Sequence, residues 1–202
     1  ITIADINLGR LKFVPAANAN GTGYASFTFQ VEDSGGTDNG GANLDLSANT
    51  MTLDVTSVND APSFTIAGDQ TVLEDAGAQT VVGWATAISA GPPDEAGQAL
   101  AFYVTSNTNP YMFEAGPAVS PEGTLTYTPV PNANGDAILT VELRDNGGIA
   151  NGGVDTSTPV MFVVQFVIHV AGVNDVPSFT VGPNQTVDSG DGAQPVVGWA
   201  TA

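Results

Sequence analysis

Apolar and polar residues alternate with a period of two in several short runs. In Leu139-Thr140-Val141-Glu142-Leu143-Arg144 the aliphatic set falls on one side, with Thr, Glu and Arg on the other. Phe27-Thr28-Phe29-Gln30-Val31-Glu32 repeats the pattern; Thr124, Thr126 and Thr128 alternate with Leu125 and Tyr127, and Leu100, Phe102 and Val104 are spaced likewise. Successive side chains of an extended strand point to opposite faces, so each run predicts a strand with one buried face. No segment combines helical periodicity with caps. Strands are predicted at roughly 62–73, 78–88, 99–106, 110–114, 123–128, 137–144 and 158–171, punctuated by Gly, Pro, Asn and Asp. Trp84 lies inside an apolar run of the second strand, which favours core packing over carbohydrate stacking, with Val82 expected on the same face. His169 shares the outer face of the last strand with Gln165, opposite Phe166, Ile168 and Val170.

The pattern repeats along the chain. Val58-Asn59-Asp60-Ala61-Pro62-Ser63-Phe64-Thr65 returns as Val173-Asn174-Asp175-Val176-Pro177-Ser178-Phe179-Thr180, and Val81-Val82-Gly83-Trp84-Ala85-Thr86-Ala87 returns as residues 196–202. Gly9-Arg10-Leu11-Lys12-Phe13 answers Gly123-Thr124-Leu125-Thr126-Tyr127, Asn18-Ala19-Asn20-Gly21 answers Asn132-Ala133-Asn134-Gly135, and Val31-Glu32-Asp33-Ser34-Gly35-Gly36 answers Leu143-Arg144-Asp145-Asn146-Gly147-Gly148. A fixed period of this size predicts a tandem array of one domain. Residues 1–60 read as the C-terminal half of one repeat, 61–175 as a complete repeat and 176–202 as the start of the next, so the chain is expected to be a window on a longer array. Each complete repeat is an ordinary domain in size and can bury its own core. About seven short strands per repeat fit two facing antiparallel sheets, an all-β, immunoglobulin-like sandwich.

Charge narrows the choice of partners. Three basic residues (Arg10, Lys12, Arg144) stand against 21 acidic ones, a formal net charge of -18. Nucleic-acid backbones and anionic membranes need clustered Lys and Arg, so neither is expected as a partner. The excess is either a solvated acidic coat or, in part, a set of ligands for a divalent cation. No apolar stretch reaches membrane-spanning length, and no signal peptide is read in the sequence, which a window cut from a longer chain is expected to lose in any case. Cysteine is absent, so no disulfide staples the repeats; residues 61–175 contain no lysine, which rules out a lysine–asparagine crosslink there. A single histidine and no cysteine leave zinc chemistry and Cys-His or Ser-His catalysis without partners.

The carboxylates fall where strand connections meet. In a seven-stranded sandwich the second-to-third and sixth-to-seventh loops lie at the end where the chain arrives. Asp94 and Glu95 lie in the first of these loops, Asp145 opens the other, and the incoming linker supplies Asn59 and Asp60. At the opposite end, Glu74 and Asp75 sit in the first connection while Asn174 and Asp175 form the outgoing linker. Calcium takes six to eight oxygens from carboxylates, amides, backbone and water, and converging loops can supply them. Asp, Asn and Gly are also turn formers, the preferred reading for Asn132-Ala133-Asn134-Gly135. Asp60, Asp94, Glu95 and Asp145 together favour metal. Glu74 and Asp75 stand open between the two roles, and the third repeat carries Val187-Asp188-Ser189 in that region.

The Asn59-Asp60-Ala61-Pro62 junction, Leu73-Glu74-Asp75, Asp94-Glu95-Ala96-Gly97-Gln98, Thr128-Pro129 with the following Asn-Ala-Asn-Gly turn, and Asp145-Asn146-Gly147-Gly148 resemble bacterial cadherin-like and immunoglobulin-like repeats of giant secreted surface adhesins of the repeats-in-toxin type. The resemblance spans the chain, with Val176 replacing Ala at the second junction. It implies secreted domains at the bacterial cell surface that bind calcium at interdomain linkers and extend terminal adhesive modules. Asn59, Asp60, Asn174 and Asp175 then take the linker-ligand role. The glycine-rich nonapeptides of calcium-binding β-rolls are missing.

The leading expectation is therefore a mechanical extender whose partners are the neighbouring repeats of its own chain. A glycan- or protein-binding module using Tyr103 and Tyr111 is one alternative, with cell-surface glycan or protein as target, there or through modules outside this chain. A filament in which the chain ends complement other copies by strand donation is another. Enzyme activity is not expected: Asp94 and Glu95 are a carboxylate pair, but adjacent residues in a Gly-rich loop make no cleft.

Overall fold

The computed structural model describes residues 1–157 and 164–201. Thirteen strands occupy these residues: β1 Gly21–Phe29, β2 Asn49–Val55, β3 Ser63–Ile66, β4 Gln70–Leu73, β5 Gln79–Val81, β6 Ala85–Ser89, β7 Ala101–Asn107, β8 Phe113–Val119, β9 Leu125–Pro129, β10 Gly135–Arg144, β11 Val164–Ala171, β12 Thr180–Val181 and β13 Ala200–Thr201. The fold is all-β. Among the described residues the one α-helix, α1 (Ile3–Asn7), is a single turn closed by a capping box in which Thr2 and Asp5 exchange hydrogen bonds. No helix of the described residues is long and apolar enough to cross a membrane.

Between Ser63 and Ala171 the strands form two layers. One is a four-stranded sheet in the order β4-β11-β10-β7, with β4 parallel to β11 and the other pairs antiparallel. The second holds the antiparallel sheet β5-β9-β8 and the pair β3-β6. Ala85 N–H donates to Gly123 O at 2.9 Å, which ties the start of β6 to the turn ahead of β9. The inner faces meet in a core of Trp84, Leu125, Tyr127, Leu139, Val141, Phe166, Ile168 and Val170, among others. Trp84 and Phe166 meet across it with ring centroids 4.5 Å apart and planes tilted by 53°, and Phe64 meets Phe102 edge-on at 5.0 Å. The indole N–H of Trp84 donates to Gly68 O at 3.0 Å, so burying the ring leaves no orphaned donor. Residues 139, 141 and 143 of β10 are buried and Arg144 is exposed, as the alternation predicts.

Two long predicted strands are broken. The stretch at 62–73 splits at Gly68, whose φ is +100°, so that β3 pairs in one layer and β4 in the other. The stretch at 78–88 breaks at Gly83, with φ +69°, and this resets the alternation. Trp84 is fully buried, whereas Val82 is 81% exposed and does not share its face. A 3-10 turn at Pro110–Met112 delays the fourth predicted strand, which runs as β8 from Phe113. Of the strand predicted at 158–171, positions 158–163 lie outside the described residues.

The repeat is visible in the pairing itself. Thr65 faces Thr86 and Ile66 faces Ala85 across β3-β6; 115 residues on, Thr180 faces Thr201 and Val181 faces Ala200 across β12-β13. Trp199 N–H donates to Pro183 O at 3.2 Å, the counterpart of the Trp84–Gly68 bond. The Asp-x-Gly turn also recurs: Gly35 N–H donates to Asp33 Oδ1 at 2.7 Å and Gly147 N–H to Asp145 Oδ1 at 2.9 Å.

Candidate functional site

The residues ahead of β3 are held by side chains from the loops that follow β6 and β10. Asn59 is the hub. Its Nδ2 donates to Asp145 Oδ1 at 3.0 Å and to Val154 O at 2.6 Å, and its Oδ1 accepts from Gln98 Nε2 at 2.7 Å. Val154 N–H donates to the backbone oxygen of Asn59 at 2.9 Å. One residue on, Asp60 N–H donates to Glu95 Oε1 at 2.9 Å. The loop carrying Asp94 and Glu95 is shaped by Pro93–Glu95, a 3-10 turn with proline at its start, where the fixed proline φ suits the first turn.

Glycines make the close approach possible. A Cβ on Gly147 would collide with Asn59 Oδ1 and lie 2.5 Å from Gln98 Nε2, and one on Gly153 would lie 3.0 Å from Asn59 Cβ. A Cβ on Gly91 would collide with Glu95 Oε2 and lie 3.5 Å from Asp60 Cβ. Asn146 adds a brace between the two loops by accepting Ala99 N–H at 2.8 Å.

Three oxygens in this cluster are buried without a donor: Glu95 Oε2, Gln98 Oε1 and Asp145 Oδ2. Glu95 is only 5% exposed. Each carboxylate spends its other oxygen on the linker, Glu95 on Asp60 N–H and Asp145 on Asn59. A buried acceptor left without a partner costs about 1–3 kcal/mol, and more when it is charged. No lysine lies between residues 61 and 175, and Arg144 is engaged by Glu142 and by the ring of Tyr103, 4.7 Å from its centroid. The partners open to such oxygens are water, a proton on the carboxyl or a hard cation. Among the described residues no three His, Cys, Asp or Glu side chains are grouped so as to hold a metal, so amide and backbone oxygens would have to complete the set.

The sequence-predicted residues divide into several settings. Asn59, Glu95 and Asp145 bring side chains together, while Asp60 is exposed and joins them through its backbone N–H. Asp94 is exposed and accepts from Asn20 Nδ2 at 2.6 Å, beside a hollow of about 390 Å³ lined in part by Thr56, Val58 and Asp60. Glu74 is buried, with Val173 N–H at 2.7 Å and Asn134 Nδ2 at 3.1 Å on its two oxygens. Asp75, Asn174 and Asp175 are exposed, and Asn174 donates to the backbone oxygen of Asp175 at 3.3 Å. Tyr103 and Tyr111 are exposed, the latter at 90%. Asn132 takes the positive φ expected of a turn former, but Asn134 reaches out of that turn to Glu74. Sequence reasoning missed Gln98, Asn134 and the glycine cradle. Gln98 carried a signal, as the uncharged end of the Asp94–Gln98 run.

No family model matches the chain, and neither a curated protein nor a solved structure matches it.

Proposed function

We propose that the chain is part of a tandem array of immunoglobulin-like, cadherin-like sandwiches that works as an extracellular extender, with calcium stiffening the linker at Asn59-Asp60. One observation carries the proposal: the donorless buried oxygens of Glu95, Gln98 and Asp145 surround a linker already clamped to the sandwich that follows it. Two carboxylates, an amide oxygen and nearby backbone suit an ion that accepts irregular, all-oxygen coordination. With the ion bound, Glu95 and Asp145 would each bridge it to the linker backbone or side chain. Asp60 and Asp94 lie close enough in the chain to add oxygens directly or through water. Without the ion, repulsion among carboxylates in a chain of net charge -18 opposes close docking at the joint.

The strand order β4-β11-β10-β7, with its parallel β4-β11 edge facing a layer of antiparallel strands, supports the immunoglobulin-like assignment. The 115-residue register, the absence of cysteine and the resemblance of the Asn-Asp-Ala-Pro junction support placement in a secreted bacterial surface adhesin. Thermal melts and small-angle scattering of the 202-residue chain, each in EDTA and in millimolar calcium, test the proposal. A higher melting temperature and a more extended particle with calcium are expected. No change in either would refute it.

A further inference from the structure

The two buried glutamates of the middle repeat are in opposite states. Glu95 leaves one oxygen without a donor, whereas Glu74, 3% exposed, has both oxygens occupied. Its partners come from segments far apart in sequence. Val173 N–H belongs to the chain leaving β11, and Asn134 sits in the turn ahead of β10. Glu74 N–H donates in turn to Ala171 O at 3.0 Å, extending the parallel β4–β11 ladder by one residue. Gly172 gives Asn134 room, since a Cβ there would lie 3.3 Å from Nδ2.

We infer that Glu74 is a positioning residue, an internal hydrogen-bond lock that sets where the outgoing linker leaves the sheet, and not a cation ligand. A buried carboxylate charge must be compensated, and two N–H donors supply that compensation without an ion. Glu95 leaves Oε2 bare, whereas Glu74 has a donor on each oxygen and so lacks the bare oxygen that marks the upstream joint. The two ends of the repeat then differ. The upstream joint is set by calcium, a statement that rests on the proposed function above, and the downstream departure point is set by hydrogen bonds whether calcium is present or not.

The conservative substitution separates the two roles. Glu74→Gln keeps an acceptor for Val173 N–H, and the new amide N–H can donate to Asn134 once the Asn134 amide turns its oxygen inward. A lock survives that exchange; a metal ligand loses its charge. The test is amide hydrogen exchange at Val173 by NMR on the full chain, in EDTA and in calcium, together with calcium titration of each variant. Glu74→Ala is expected to speed Val173 exchange by about ten-fold or more in EDTA, with Glu74→Gln staying within about three-fold of the parent chain. Calcium stoichiometry and affinity should be unchanged in both. Should Glu74→Ala fail to fold, Asn134→Ala, at an exposed position, is expected to speed the same amide in EDTA. The lock is overturned if Glu74→Gln behaves like Glu74→Ala, if Asn134→Ala leaves Val173 unchanged, or if Glu74→Gln weakens calcium binding. A parent chain that binds no calcium refutes the proposed function alone, because the exchange measured in EDTA still reads the lock.

Discussion

Replacing Gly147 by alanine is the sharpest probe of how the linker is held. The added methyl would occupy the space of Asn59 Oδ1 and press on Gln98 Nε2, so the Asn59 side chain must leave its seat. Three side-chain hydrogen bonds go with it: to Asp145 at 3.0 Å, to Val154 O at 2.6 Å and from Gln98 at 2.7 Å. At about 1 kcal/mol net for each, the loss is ~3 kcal/mol, with a further increment if Asp145 is left bare. For a domain of this size that corresponds to a drop in melting temperature of about 10–15 °C. Gly97→Ala is the control: it lies in the neighbouring loop, and a Cβ there meets nothing within 4 Å. Thermal melts of both variants in EDTA, followed by tryptophan fluorescence, read the difference without any metal contribution. If Gly147→Ala melts within a degree or two of Gly97→Ala, Asn59 is not clamped as described.

Other substitutions test the core and its pH response. Trp84→Ala empties the centre of the sandwich and removes the Gly68 bond, and should cost about 3–5 kcal/mol in urea unfolding. Val82→Asp, two residues away but 81% exposed, should stay within about 0.5 kcal/mol of the parent chain in the same assay. Burial raises the Tyr127 phenol above its ordinary value of 10.0, so the fold favours the protonated ring. Its contribution is complete below the ordinary phenol value and is lost as pH rises through the higher folded one. The urea midpoint should therefore fall at alkaline pH, and Tyr127→Phe should flatten that fall.

Much of the fold was legible because period-two alternation is a direct consequence of strand geometry. Leu139, Val141 and Leu143 are buried where the pattern puts them, and the 115-residue offset recurs as identical strand pairings. The strand breaks were harder to see. Gly68 and Gly83 adopt positive φ, a backbone property that leaves no mark on hydrophobic periodicity, and the second break turned Val82 away from Trp84. Of the candidate site, the acidic residues of the converging loops were legible from topology and turn composition. Of the amides only Asn59 was, from its place in the linker. Gln98 and Asn134 act through contacts 39 and 60 residues apart, which sequence spacing does not reveal. A buried glutamate with a free oxygen and one with both oxygens filled also look alike in one dimension, and Glu95 and Glu74 diverge only once their donors are placed.

Calcium titration of the 202-residue chain by calorimetry reads the upstream joint itself. The chain carries one complete set of upstream-joint groups, at Asn59, Asp60, Glu95, Gln98 and Asp145. One tightly bound equivalent is expected, lost in Glu95→Gln and kept in Glu74→Gln. Absence of binding, or binding indifferent to Glu95, would contradict a calcium-held joint.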